Sequence, residues 1–308
     1  MRNAYIVGGV SFHGGKIQAA AIEEQSIDSI LQSVREIDYD LPNDAWMNPS
    51  QIPDATAKIT DALSSAFDTQ TVPQRISVAL PSEAALVLTA PIDSTLEPRD
   101  LREHIDWELS NYHKGQGSQE LVSCHVSLEK FGDKQTTEIL IVAIRRSILQ
   151  LLRTACERLG TQLHIVDIDH FCVESVLVRN HPSARTQNVL LIGNKRNRTQ
   201  VSLVAQSQLR RYRYGNGTTD FQKVEFIKNF IGECRDANAA FQGVFLYGDA
   251  LDNFAFTLLQ SRAGTPIEYV DADCIRALQS SPQSPDIQDG TLHPSRFAPC
   301  IGVAMRTA

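Results

Sequence analysis

The chain has 308 residues, of which 42% are hydrophobic, and a formal net charge of -7. Because single hydrophobic cores stop growing at roughly 250 to 300 residues, this length predicts two lobes. An acidic chain lacks the broad positive field that attracts nucleic acid or anionic lipid, so we expect neither as its main partner.

The first elements predicted along the chain are short strands and one helix. Residues 4–10 and 16–22 are apolar runs on either side of a glycine-rich turn, which indicates a hairpin. Residues 41–53 contain three prolines and are typical of a surface loop. In residues 54–67 the apolar positions follow helical spacing, and residues 75–80 have the composition of a buried strand.

The next segment predicts a compact unit inserted into the first lobe. A strand over residues 84–90 precedes an acidic helix that begins near Pro98 and ends before Gly115. Two strands, over 121–131 and 137–144, lead to a helix that stops at Gly160, a typical C-terminal glycine. The predicted order from Ala84 to Gly160 is therefore β-α-β-β-α.

The second half of the chain repeats the opening pattern. A strand over 163–168 and a crossing helix lead to strands over 188–192, 200–205 and 208–214. This second strand-turn-strand unit suggests an internal duplication. The remaining predicted elements are a helix over 224–234, a strand over 243–247, a helix over 253–262, a polar segment over 281–290 and a final helix over 297–306.

Two detailed segments of this order are VALPSEAALVLTAPIDSTLEPRDLREHIDWELSNY, residues 78–112, and ILIVAIRRSILQLLRTACERLGTQLHIVDIDHFCVESVL, residues 139–177. A third, more diffuse segment consists of GNKRNRT, VFLYGDAL and PCIGVAMR. In this order they resemble the PilM family, the cytoplasmic actin-like proteins of type IV pilus and type II secretion platforms, which are related to FtsA. The resemblance implies an α/β, two-lobed actin-like ATPase (ribonuclease H-like) fold with an inserted subdomain. It places the first lobe at 1–83 and 161–186, the inserted subdomain at 84–160 and the second lobe at 187–308.

The resemblance also shows where a nucleotide would bind, and there the sequence departs from the family. Actin-like ATPases carry an Asp-x-Gly turn in each lobe, whose aspartates bind magnesium beside the phosphates. Here the first lobe has Gly8 and Gly9 without an aspartate, and the second lobe has Leu191 before Gly193. The adenosine-side glycine pair is reduced to Gly248. The cleft residues implied by the resemblance are Gly8, Gly9, Gly193, Asn194, Thr199 and Gly248.

These departures predict a pseudo-ATPase with no catalytic residues, no metal and no nucleotide cofactor. Two alternatives stay open at this stage. One is an active phosphotransferase whose acidic groups come from elsewhere, such as Asp249 or Asp286; the other is a protein that binds ATP with magnesium without hydrolysing it.

Four further motifs invite interpretation as ligand-binding or metal sites. The stretch VGGVSFHGGK fails as a phosphate loop, because Val10 and Ile17 stand where glycine and Ser or Thr are needed. The loop GNKRNRT could hold an anion or be a solvated surface. In LRRYRYGNG, strand alternation explains the arginines better than RNA binding does. The cluster Asp167, Asp169, His170 and Cys172 favours a structural interpretation, with Asp169 as a helix N-cap.

The resemblance implies that the partner is the N-terminal cytoplasmic peptide of a PilN-like inner-membrane protein, bound between the first lobe and the inserted subdomain. We expect that peptide between the strand near Ser77 and Ala79 and the helix that carries Ile105, Trp107 and Tyr112. The alternative is that Trp107 belongs to the subdomain core. The chain is then expected in the cytoplasm, held at the inner membrane through its partner, and homo-oligomerisation stays open.

Overall fold

The computed structural model describes residues 5–13, 15–24, 29–39, 54–67, 72–112, 120–128, 136–236, 239–249, 251–270 and 294–306. The loop predicted over 41–53, the polar segment over 281–290 and Asp286 lie outside these residues.

The first lobe is built on a five-stranded sheet. Its strands are β1 (Tyr5–His13), β2 (Lys16–Glu24), β3 (Ser29–Asp38), β4 (Arg75–Leu80) and β8 (Gln162–Ile168). They lie in the order β3-β2-β1-β4-β8, in which the first three are antiparallel and the last two run parallel to β1. The predicted hairpin is confirmed, and its two strands end three and two residues later than predicted.

The second lobe repeats this topology. Its strands are β9 (Asn188–Asn194), β10 (Arg198–Ala205), β11 (Gln208–Asn216), β12 (Gly243–Gly248) and β13 (Ile267–Tyr269). They lie in the order β11-β10-β9-β12-β13, again with three antiparallel strands followed by two parallel ones. The internal duplication that the sequence suggested is therefore confirmed.

A third sheet follows β4 along the chain. It consists of β5 (Ala85–Asp93), β7 (Thr136–Arg145) and β6 (Leu121–Ser127), in the spatial order β5-β7-β6. Helix α2 (Pro98–Tyr112) covers one face through Ile105 and Leu109. The other face contacts Tyr212 of β11, so the inserted sheet touches the second lobe.

Helices form three layers around the two large sheets. Helices α1 (Ala55–Ala66) and α3 (Arg146–Arg158) cover the outer face of the first sheet. Helices α5 (Asp220–Asp236) and α6 (Asn253–Ala263) cover the outer face of the second. Helices α4 (Asp169–Asn180) and α7 (Ala298–Met305) lie between the sheets and share one apolar core with both.

Two helices, α3 and α7, do not pack in the domains to which the predicted boundaries assign them. The sequence assigned α3 to the inserted subdomain, but Ile148, Leu152 and Cys156 pack in the core of the first sheet. It assigned residues 187–308 to the second lobe, but α7 packs on β1, β2 and β4. Both segments therefore belong with the first lobe. Their amphipathic patterns did not reveal this, because periodicity shows that a helix has an apolar face but not which sheet covers it.

Candidate functional site: the cleft between the lobes

The structure brings four of the six predicted cleft residues together in the second lobe. Asn194 ends β9 and lies between Thr199 on β10 and Gly248 on β12. Gly193 precedes Asn194, and Gly248 has a positive φ of 94°. The Asn194 amide donates to the Asp249 carbonyl over 2.7 Å, which closes this end of the sheet.

The two first-lobe glycines face opposite sides of β1. A Cβ atom on Gly8 would lie 2.7 Å from the Phe67 ring, on the outer side of the sheet, so Gly8 does not line the cleft. Gly9 points inward, and its Cβ would lie 1.9 Å from the Cys300 carbonyl oxygen of α7. Any side chain at Gly9, including that of an aspartate, would require α7 to move.

The second-lobe positions are filled in the same way. Leu191 is 1% exposed and packs in the core between the sheets. A Cβ on Gly193 would lie 2.5 Å from the Tyr247 hydroxyl, so the Tyr247 ring covers this glycine. Protein side chains thus fill the space at both of these positions.

A buried ion pair crosses the cleft. The ammonium group of Lys195, from the β9–β10 turn, contacts the carboxylate of Asp169 at the start of α4. Asp169 is fully buried and also accepts a hydrogen bond from the Gln200 amide over 3.2 Å. Burial lowers the pKa of Lys195 to about 8, which leaves its side chain positively charged at neutral pH beside Asp169.

The next residue, His170, makes a second buried polar connection. Its Nδ1 atom lies 2.9 Å from the Tyr247 hydroxyl and its Nε2 atom 2.9 Å from the Ser202 hydroxyl, so both ring nitrogens are bonded to the second lobe. Complete burial lowers the pKa of His170 to about 3. The ring is therefore neutral, with one nitrogen donating and the other accepting.

The four residues of the Asp167–Cys172 cluster point to different partners, as the structural interpretation predicted. Asp167 pairs with Arg306, and Cys172 packs beside Ala79 and Val303. The predicted role of Asp169 as N-cap is wrong, because Ile168 is the N-cap and Asp169 lies inside the first turn. Its carboxylate accepts a hydrogen bond from the His170 backbone N–H over 2.7 Å and also contacts Lys195 and Gln200.

A network of charges surrounds the cleft rim. Asp249 lies 3.2 Å from His13 Nε2 and 3.4 Å from Arg296 Nε, and Arg296 reaches Glu36 over 3.7 Å. Burial alone would raise the pKa of Asp249, but the His13 hydrogen bond and the Arg296 charge hold it below its usual range. Asp249 is thus held in ion pairs, which argues against its use as a replacement magnesium ligand.

One cavity lies in the cleft among the residues that the structure describes. Its volume is about 10 Å³, and its lining includes Ser11, His13, Lys195, Tyr247 and Arg296. A volume of about 10–15 Å³ holds roughly one water molecule. The described residues of the cleft therefore do not fit a nucleotide with its magnesium ion, because Val7-Gly8-Gly9 and Leu191-Ile192-Gly193 contain no carboxylate and protein atoms pack against Gly9 and Gly193.

The sequence missed the residues that fill this cleft. From the sequence, Lys195 is predicted only in a basic loop and Asp169 only as a helix cap. The alternation of β10 carried a signal, because Gln200 and Ser202 are polar at positions that face the core between the sheets. Polar residues on a buried strand face require partners, and here those partners come from α4.

The predicted partner residues divide between the core and the surface. Ile105 is 5% exposed and packs in the core of the inserted subdomain, so it is not available to a partner. Trp107 is 58% exposed and Tyr112 is 62% exposed, so the alternative interpretation of Trp107 as core is wrong. The Trp107 ring lies beside His104 on the surface of α2, with the ring centres 5.8 Å apart.

The strand near Ser77 and Ala79 cannot accept a peptide as an added strand. Both residues are fully buried, and β4 pairs with β1 on one side and β8 on the other. Within the described ranges, β6 of the inserted sheet pairs on one side only and is exposed along most of its length. Among the same residues, we find no helix with the length and apolar character needed to cross a membrane.

Comparison with solved structures identifies the fold of the chain. No protein-family model and no curated protein sequence matches the chain. A chain of the PilM-PilN type IV pilus biogenesis complex matches with a TM-score of 0.73 and 13% identity, over 97% of this chain and 98% of that one. A Bacteroides thetaiotaomicron protein of unknown function with an actin-like ATPase fold matches with a TM-score of 0.55 and 10% identity, over 90% of this chain and 96% of that one. The chain therefore has the two-lobed actin-like ATPase fold, in an architecture similar to that of PilM.

Proposed function

We propose that the chain is a cytoplasmic scaffold of a type IV pilus or related secretion platform, held at the inner membrane by the N-terminal peptide of a PilN-like protein. The observation that carries the proposal is the match to the PilM-PilN complex over nearly the full length of both chains. A match of this extent includes the inserted subdomain, where the resemblance of the sequence places the partner.

The surface of the inserted subdomain supports this assignment. Trp107 and Tyr112 are large aromatic side chains held at the surface of α2, and aromatic residues are enriched at binding hot spots. Strand β6 exposes Val122 and Val126 on the sheet face opposite α2, beside a backbone edge that lies free within the described residues. An extended peptide could pair with this edge, which is a common mode of peptide recognition.

The test is binding of the synthetic N-terminal peptide of the PilN-like protein from the same organism, measured by isothermal titration calorimetry. We expect Trp107→Ala to weaken binding at least about tenfold, as for a hot-spot aromatic. Phe254→Ala is the matched control, because Phe254 is 74% exposed on α6 of the second lobe. Equal affinity of the wild type and the Trp107 variant would refute this surface, and a peptide that does not bind at all would refute the partner.

We further propose that the chain does not hydrolyse ATP and needs no nucleotide. The support comes from Gly9 beneath α7, Leu191 in the core and Lys195 paired with Asp169, which leave neither carboxylates nor space. A thermal melt with and without millimolar ATP and magnesium tests it, since a ligand that binds the native state raises Tm. We expect no shift; a rise of several degrees would contradict the proposal and favour a nucleotide-bound form.

A further inference from the structure

We infer that the two lobes of this chain are fixed in one relative position by a polar plug, so that the cleft does not act as a ligand-driven hinge. We define the α4 plug as the side chains of Asp169 and His170, which enter the second lobe from the first turn of α4. This inference concerns the motion of the lobes and does not depend on which partner the chain binds.

Every side-chain hydrogen bond described for the α4 plug with another side chain ends on the second lobe. Asp169 bonds to Lys195 and Gln200, and His170 bonds to Ser202 and Tyr247. Asp169 and His170 are both 0% exposed. The plug thus forms four polar contacts, away from solvent, between the lobe that holds α4 and three segments of the second sheet.

Separating the lobes would break these four contacts, and each polar group would lose its partner before water could reach it. A buried carboxylate without its cation is strongly destabilising, and so is an ammonium group without its anion. In many two-lobed proteins a bound ligand compensates for such charges when the lobes close, whereas here Lys195 supplies the positive charge from within the chain. Closure therefore requires no ligand.

Two further layers join the lobes around the plug. One apolar core runs continuously from Val7 and Ile22 of the first sheet, through α4 and α7, to Leu191 and Phe245 of the second. At the rim, Arg296 connects Glu36 of β3 with Asp249, and His13 of the first hairpin also reaches Asp249. A hinge would have to break the plug, the shared core and the rim together.

Hydrogen–deuterium exchange of the full chain tests the inference. In the wild type we expect amides of β10 and of the first two turns of α4 to exchange as slowly as those of the outer helices α1 and α5. In Lys195→Met the amides of β10 and α4 should exchange at least about tenfold faster, while those of α1 and α5 change little. Lys228→Met is the matched control, because Lys228 pairs with Glu225 on the surface at 2.8 Å.

The double variant Asp169→Asn/Lys195→Met guards against a result that reflects misfolding. It removes both charges, so it should fold with more protection in β10 than Lys195→Met alone. Wild-type exchange of β10 and α4 at least about tenfold faster than that of α1 and α5 would overturn the inference. A change in the protection of these segments on adding millimolar ATP and magnesium would overturn it as well.

Discussion

Gly9 of β1 lies directly against the carbonyl group of Cys300 in α7, so close that a Cβ atom would lie 1.9 Å from the oxygen. The first sheet and the last described helix therefore pack backbone to backbone. Gly9→Ala must push α7 away from β1, and we expect it to lower the free energy of unfolding by about 3 kcal/mol. Urea unfolding measures the change.

Gly232→Ala is the control for Gly9→Ala, because we expect it to change stability in the opposite direction. Gly232 lies within α5, and a Cβ there would meet no atom within 4 Å. Gly232→Ala should therefore stabilise the protein by about 0.5–1 kcal/mol, because alanine restricts the unfolded chain and favours helix. Equal effects of the two substitutions would contradict the contact at Gly9.

His170 predicts a pH dependence with a defined sign. Its folded pKa of about 3 lies below the ordinary value of 6.5, so below pH 6.5 the unfolded state binds a proton that the folded state excludes. The stability that this neutral histidine contributes is present above pH 6.5 and is lost as the pH falls towards 3. The loss amounts to about 1.4 kcal/mol per pH unit below pH 6.5.

Glu174 opposes this trend and must be separated from it. Burial raises its pKa from 4.5 to about 7, so its contribution to stability increases as the pH falls from 7 to 4.5. The difference between the wild type and His170→Gln cancels the Glu174 effect. We expect this difference, measured by urea unfolding, to be about 1 kcal/mol smaller at pH 5.5 than at pH 7.5; an unchanged difference would show that His170 is not the titrating group.

The ion pairs of Arg296 predict how much the rim network contributes to the free energy of unfolding. Arg296 lies 3.7 Å from Glu36 and 3.4 Å from Asp249, and its charge helps to hold the pKa of both carboxyl groups below the usual range. Arg296→Met should cost about 1–3 kcal/mol at pH 7 in urea unfolding. The cost should shrink below pH 4, where both carboxylates take up protons.

Arg99→Met is the matched control for the rim. Arg99 pairs with Glu103 at 3.1 Å on α2, and both side chains are well exposed. Exposed pairs at this spacing contribute about 0.3–0.5 kcal/mol. If the Arg296 and Arg99 variants lost equal stability, the rim network would contribute no more than a surface ion pair.

The cysteines predict a simple chemical test of the packing. Cys156, Cys172, Cys234 and Cys300 are buried, and burial raises the pKa of Cys156 to about 12, whereas Cys124 on β6 is exposed. In a Cys274→Ser background we expect one thiol to react with Ellman's reagent in the native protein and the others only on unfolding. Cys124→Ser should abolish the native reaction; a second fast thiol would contradict the packing of the helix that carries it, which is α3, α4, α5 or α7.

Most helices and strands of the fold can be predicted from the sequence, because hydrophobic spacing and turn residues are local signals. Residues 75–80 form a buried strand between a polar segment and proline, and Gly160 ends α3 with a φ of 72°, as predicted. What the sequence could not give is which elements meet. The placement of α7 on β1 depends on a contact between Gly9 and Cys300, nearly three hundred residues apart, and no periodicity records it.

The candidate site shows the same limit. The missing aspartates could be read directly from the sequence, because the first-lobe stretch Tyr5–Gly9 contains none and Leu191 stands at the second-lobe position. The pairing of Lys195 with Asp169 could not, because both residues have plausible solvent-exposed roles in isolation. Only the folded geometry removes those roles, by burying both side chains.

The packing of α7 also bears on how the protein forms in the cell. Residues 5–38 supply three strands of the first sheet, yet the inner face of that sheet is completed by residues 298–305. Domains that use adjacent segments can fold while synthesis continues, but this lobe must wait until its distant helix leaves the ribosome. Until then the apolar inner face of β1 and β2 lacks the cover that α7 provides.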